Sequence, residues 1–153
     1  MREILERYPP ERSNLLDILH ELQAADPENH LSAAALREAA QFVGIPLSEV
    51  ISTATFYSMF SLTPRGKHII RICESPPCQL MGAGNVLVEL GTLLGVEPGE
   101  TTDDKVFTLE TTSCLGVCGV APAMMIDDEL YGNLTSDRLS DIISRVRRGN
   151  ATG

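Results

Sequence analysis

The chain has 153 residues, with 12 Lys and Arg against 21 Asp and Glu, so its formal net charge is −9 at pH 7. That acidity argues against a nucleic-acid binder, which needs a basic face to neutralise phosphates. The 43% hydrophobic content is too high for a disordered chain, and no apolar run approaches the roughly 20 residues of a membrane helix. The size suits one domain, or one domain with a small appendage. Met1 to Arg7 lacks the apolar stretch of a secretory signal, so a cytoplasmic location without membrane insertion is expected.

Leu15, Leu16, Leu19 and Leu22 recur at helical spacing, and Asp26-Pro27 ends the run. Ser32 is placed to cap a second helix over Ala33–Val43, which Gly44 stops. Pro46 fits the first turn of a third helix, expected to turn Val50, Ala54 and Phe56 inward. Thr55 to Phe60 holds three of the chain's seven Phe and Tyr residues and reads as a packing plug. Leu62-Thr63-Pro64-Arg65-Gly66 then reads as a linker between a helical domain, residues 1–64, and a second domain, residues 65–153.

Past the linker the pattern changes. Lys67–Cys73, with Ile69, Ile70 and Ile72, reads as a strand. Gln79–Gly95 reads as one helix with Val86, Leu87, Leu90, Leu93 and Leu94 on its buried side. Val96–Asp104 is a loop rich in Pro, Gly, Thr and Asp, and Val106–Thr111 alternates as a strand. Ala123–Ile126 and Glu129–Asn133 are short strands joined at Asp127-Asp128. Ser136–Arg147 closes the chain as a helix with Leu139, Ile142, Ile143 and Val146 on one face, and Arg145, Arg147 and Arg148 near its negative end. The fold class is α+β: a helical N-terminal domain, then a small mixed sheet flanked by helices.

The four cysteines fall into two pairs, Cys73 with Cys78 and Cys114 with Cys118, the pairs lying 35 residues apart. Disulfides are one reading, but the cytosol keeps thiols reduced. Structural zinc is a second, since zinc accepts four thiolates, mostly at gaps of about two to four residues. A 2Fe-2S cluster is a third: it needs two thiolates per iron, and a four-residue gap is one known spacing. The surroundings favour the cluster. Pro76 and Pro77 stiffen the first loop, and Gly116 and Gly119 let the second fold closely around sulfur and offer N–H donors. A helix start near Cys78 is expected to lower its thiol pKa. The chain lacks the Cys-x-x-Cys of a thioredoxin-type redox pair.

With these motifs the chain resembles the thioredoxin-like 2Fe-2S subunit of complex I-type NADH dehydrogenases, relatives of which occur in NAD(P)-linked hydrogenases and formate dehydrogenases. The resemblance runs from about Tyr8 to Arg147. It rests on Thr55-Phe56-Tyr57-Ser58-Met59-Phe60, on Cys73-x4-Cys78 followed by Gly82-Ala83, and on Cys114-Leu115-Gly116-Val117-Cys118-Gly119 with Ala121-Pro122. Leu94-Gly95 and Pro98-Gly99-Glu100-Thr101-Thr102 add to it. Met81 stands where family members often carry a basic residue, Val120 where they often carry Asn, and Asp103-Asp104 where Asp-Gly is common. The resemblance implies a thioredoxin-like ferredoxin domain in which Cys73, Cys78, Cys114 and Cys118 bind one 2Fe-2S cluster. A cis Ala121–Pro122 bond fits that context.

No residue of the chain is a candidate for nicotinamide chemistry. Gly82-Ala83-Gly84 is followed by Leu87 where a dinucleotide fingerprint needs its third glycine. His20, His30 and His68 lack a partner at useful spacing and read as surface or packing residues; Asp103-Asp104 and Asp127-Asp128 read as solvated turns. The expectation is a one-electron carrier without a catalytic site of its own, with a low potential given the charge of −9. The resemblance implies a partner subunit that binds flavin (FMN) and NAD(P) and has its own iron–sulfur cluster. It also implies further iron–sulfur, hydrogenase or dehydrogenase subunits, in a complex on the cytoplasmic side of a membrane. The competing readings are a zinc-stabilised interaction module and a free ferredoxin-like shuttle, the N-terminal helices arguing against the latter.

Overall fold

The computed structural model describes residues 1–150; residues 151–153, the end of the expected second domain, lie outside it. The chain divides into two compact units, Met1–Arg65 and a second beginning at Gly66.

The first unit holds helices α1 (Arg2–Leu5), α2 (Leu15–Ala24), α3 (Ala33–Val43) and α4 (Leu47–Phe56). Leu15, Ile18, Leu19 and Leu22 line the buried face of α2, while Leu16, one of the residues noted at helical spacing, is only partly buried. That stripe shares a core with Ala35, Leu36, Ala39, Ala40 and Val43 of α3, where the alanines allow close approach. α3 has the predicted bounds: Ser32 Oγ accepts the Ala35 N–H at 3.2 Å, and the chain turns left-handed at Gly44. Such a cap contributes about 1 kcal/mol.

Two expectations fail here. Pro46 caps α4 from outside rather than sitting in its first turn. Val50 and Ala54 are buried, but Phe56, the last residue of α4, is 80% exposed. The inward aromatic is Phe60, four residues on, which closes the core with Leu31. Beneath it the buried Gln23 amide donates to Met59 O at 3.0 Å and accepts from Ser61 N–H at 2.8 Å. The linker is also tied down at its end: Arg65 is buried, its N–H on Glu28 O at 2.7 Å and its Nε on Asn29 O at 2.9 Å.

The second unit contains β1 (His68–Cys73), α5 (Pro76–Leu80), α6 (Ala83–Leu94), β2 (Phe107–Thr112), β3 (Met124–Ile126), β4 (Glu129–Tyr131) and α7 (Ser136–Asn150). The sheet is mixed, in the order β2-β1-β3-β4. β1 runs parallel to β2, with His68 opposite Phe107 and Cys73 opposite Thr112, and antiparallel to β3. Parallel neighbours need a crossover, which α6 provides. The inner position of β1 explains its isoleucine run: Ile70 and Ile72 pack with Phe107, Leu109, Met124 and Ile126 and with Val86 and Leu90 of α6. Leu139, Ile142 and Ile143 of α7 complete this core.

The single helix expected over Gln79–Gly95 is two helices, α5 and α6, broken at Gly82, whose φ of +95° no side-chain-bearing residue adopts readily. Leu93, expected inside, is 44% exposed. The turn carboxylates and the histidines find partners, some across the fold and some local; for His30 this overturns the reading that it lacks a carboxylate at useful spacing, since Asp26 lies four residues before it. Asp127 accepts the Ile69 N–H at 2.9 Å and meets His68 Nδ1 at 2.5 Å. Asp104 accepts the Thr102 hydroxyl at 2.5 Å and the Val106 N–H at 3.0 Å, and pairs with Arg147 at 3.3 Å. His30 meets Asp26 at 2.8 Å, and His20 lies against Met59 and Phe60. Among the described residues no helix is long and apolar enough to cross a membrane.

Candidate functional site

Cys73 is the last residue of β1, so it inherits that strand's burial and is 1% exposed. The chain turns at Glu74-Ser75 into α5, whose first two residues are Pro76 and Pro77. Proline suits those positions, because the first turn of a helix has no intrahelical use for its N–H groups. Cys78 follows in this short helix and is 2% exposed.

Cys114 and Cys118 lie beyond the end of β2, in a loop that is exposed. Gly116 turns it with a φ of +78° and donates its N–H to Cys114 Sγ at 3.3 Å. Cys118 opens a short 3-10 turn, and the two sulfurs stand 4.0 Å apart. The loop leaves through a cis Ala121–Pro122 bond into β3.

The two loops meet. The N–H of Leu115, between the exposed cysteines, donates to the Cys73 sulfur, and the N–H of Ala123 donates to Cys78. Ser75 adds its backbone N–H and its hydroxyl to Cys73, and the Cys78 thiol donates to Cys73 as well. Burial by itself pushes the Cys73 thiol up, but these donors outweigh it and hold its pKa below the ordinary thiol value. Burial pushes Cys78 up, and its bond to Cys73 adds to the shift. This corrects the expectation of a lowered Cys78: burial outweighs any effect of a five-residue helix. Cys118 is also raised, first by its hydrogen bond with Cys114 and then by that neighbour's charge.

These residues fit a two-iron cluster. With metal–sulfur bonds of about 2.3 Å, two thiolates on one tetrahedral metal stand about 3.8 Å apart, close to the 4.0 Å between Cys114 and Cys118. The Leu115 N–H on Cys73, and the charge interactions of Cys118 with Cys73 and Cys78, bring the two pairs together; a single zinc needs all four sulfurs at that edge length. Among the described residues no three His, Cys, Asp or Glu side chains are grouped to hold one metal ion. All four cysteines singled out by spacing thus lie on the two converging loops. The donors Leu115, Ser75 and Ala123 are absent from the sequence reading, and no local signal could have found the backbone ones, since every non-proline residue carries an N–H.

The chain is similar to known proteins both in sequence and in fold. The family described as thioredoxin-like 2Fe-2S ferredoxin matches residues 1–147. An NADH-quinone oxidoreductase subunit of Rhizobium meliloti (strain 1021) is 38% identical over 151 residues, covering 96% of this chain and 89% of the relative. The corresponding NADH-quinone oxidoreductase subunit of Rickettsia conorii is 36% identical over 147 residues, covering 95% and 87%. Among solved structures, an NAD+-reducing NiFe-hydrogenase in its air-oxidized state superposes with a TM-score of 0.78 at 26% identity. That match covers 89% of this chain but only 23% of the hydrogenase chain.

Proposed function

The chain belongs to the thioredoxin-like 2Fe-2S ferredoxin family, and on that footing we propose that it is an electron-transfer subunit whose Cys73, Cys78, Cys114 and Cys118 hold a single 2Fe-2S cluster. The cluster itself is the family's cofactor. When bound, it supplies reversible one-electron chemistry. The observation that carries the ligand assignment is the convergence of the two cysteine loops through the Leu115 N–H on Cys73. Cys73 and Cys78 would hold metal from the packed interior, and Cys114 and Cys118 from the surface. The N–H groups of Leu115, Ser75, Gly116 and Ala123 are directed at the cysteine sulfurs, where, with a cluster bound, they would spread negative charge and raise its potential relative to undonated thiolates. The exposed pair is the natural point of approach for a redox partner.

The relatives are named for NADH-quinone oxidoreductase and for an NAD+-reducing hydrogenase. We therefore assign this chain to a complex of that kind, exchanging single electrons with the flavin of a partner subunit that binds FMN and NAD(P). A flavin can take a hydride and release its electrons singly, which removes any need for nicotinamide chemistry on this chain. The same proposal assigns residues 1–64 to a helical domain and 65–153 to the ferredoxin domain, in a cytoplasmic complex with further iron–sulfur, hydrogenase or dehydrogenase subunits.

Anaerobic reconstitution followed by iron analysis and EPR tests the reading. A brown protein that gives a 2Fe-2S signal when reduced is the expected result, with that signal lost or altered in Cys114→Ser. A colourless, zinc-loaded protein would replace the electron carrier with a structural module.

A further inference from the structure

We propose that the outer face of α6 is a docking surface for a partner protein's helix that is apolar along one side and basic along its flanks. The surface is separate from the cysteine site, since no cysteine lines it, and the inference stands whether or not the electron-transfer reading does.

α6 is an unusual surface helix. Its twelve residues include one charged side chain, Glu89, whose carboxylate is engaged by the Ser136 hydroxyl at 2.9 Å. Its outward positions carry no other charge: Asn85 and Thr92 are exposed and polar, Val88 stands between them at 71% exposed, and Leu93, one position past Thr92, is 44% exposed. α7 shows what a solvated helix of the same unit looks like, with Asp137, Arg138, Asp141, Arg145, Arg147 and Arg148 in one fifteen-residue span. The bare face of α6 is also hollow. Together with the loop after it, α6 walls an open cleft of about 480 Å³ lined by Leu87, Val88, Thr92, Val96 and Pro98. Apolar concavities of this kind at a surface mark interaction sites, and a helix laid into a groove is a recurring occupant that needs no free sheet edge.

Charge selects the occupant. Between Arg71 and Lys105 the chain contains no Lys or Arg, against Glu74, Glu89, Glu97, Glu100, Asp103 and Asp104. Asp104 is paired with Arg147, but Glu97 and Glu100 border the cleft and no basic residue lines it. A second copy of this chain would bring the same carboxylates against themselves, on a molecule already at −9, which costs rather than contributes. An anionic lipid surface is disfavoured for the same reason. A helix with Leu-like anchors and flanking Lys or Arg satisfies both the cleft and its rim.

The test uses the full chain with its cluster bound and fluorescent synthetic helices of about 15 residues, long enough to be helical when docked. One carries Leu and Ala on one face and Lys on the flanks; the other replaces every Lys with Glu. Anisotropy titration should show binding of the Lys peptide only. Val88→Glu should weaken it about tenfold or more, and Glu97→Lys with Glu100→Lys should transfer the preference to the Glu peptide. The visible spectrum of the cluster should not change in either variant. Equal binding of both peptides, binding of neither, or indifference to Val88→Glu would overturn the proposal. So would a dimer in sedimentation velocity, or binding to phosphatidylcholine vesicles, that Val88→Glu abolishes, since these would give the surface to a second copy or to a membrane.

Discussion

Cys73 and Cys78 belong to the hydrophobic core of the second unit, whereas Cys114 and Cys118 stand in the open on a loop that touches them. The contrast follows from sheet order. β1 is an inner strand and stays buried through its last residue, while β2 is an edge strand whose burial fades along its length, so the chain is already at the surface when it reaches Cys114. Identical side chains therefore meet opposite solvents, and burial and hydrogen bonding compete differently at each. Within the buried pair the balance even splits, Cys73 lowered by its donors and Cys78 raised by burial. One pair is part of the scaffold, and the other is reachable by reagents and partners.

The strongest consequence of this asymmetry is kinetic. In the iron-free chain, iodoacetamide should alkylate Cys114 and Cys118 at least about a hundredfold faster than Cys73 and Cys78, because reaching the latter requires opening a core. Cys73's lowered pKa favours its thiolate, so the experiment sets accessibility against ionisation; faster labelling at Cys73, read by peptide mass spectrometry, would reverse the contrast. Next comes stability. Cys73→Ser should cost the iron-free chain about 1–3 kcal/mol by putting a more polar hydroxyl in place of a 1% exposed core thiol, while Cys114→Ser should stay within about 0.5 kcal/mol. Urea denaturation of both variants decides it, and equal losses would mean that Cys114 is packed. Iron removal should then raise amide exchange over 114–119 and leave β1 unchanged, since β1 is held by its neighbours and the exposed loop has few other ties. The weakest effect is at Ser75. Removing one hydroxyl donor to Cys73 in Ser75→Ala should lower the reduction potential by about 20–60 mV, the one-electron equivalent of a hydrogen bond worth about 0.5–1.5 kcal/mol. An unchanged or higher potential would show that the hydroxyl does not reach the sulfur.

Where the determinants are local, reading the chain residue by residue succeeds. Ser32 and Gly44 bound α3 because a cap and a left-handed stop each act within a turn. The isoleucine run marks β1, and spacing with flanking residues marks the two cysteine pairs. Where the determinant lies across the fold, local reading fails. A place in the third helix with Val50 and Ala54 points Phe56 inward, yet at the last position of α4 it lies outside the packed face, and Phe60 takes the inner place. Gln79–Gly95 reads as continuous because leucine periodicity survives the break at Gly82. His68 and Asp127 are 59 residues apart, and only the antiparallel pairing of β1 with β3 brings them together.

Caps, periodicity and cysteine spacing are local and chemical, so the α+β plan, the family and the four thiols of the candidate site are all legible in the linear chain. Three things are not: which of those thiols are buried, which amides donate to them, and that α6 keeps a bare acidic-rimmed cleft. Burial and hydrogen-bond donation depend on what the sheet order and helix packing carry to a residue from dozens of positions away, and folding alone settles that.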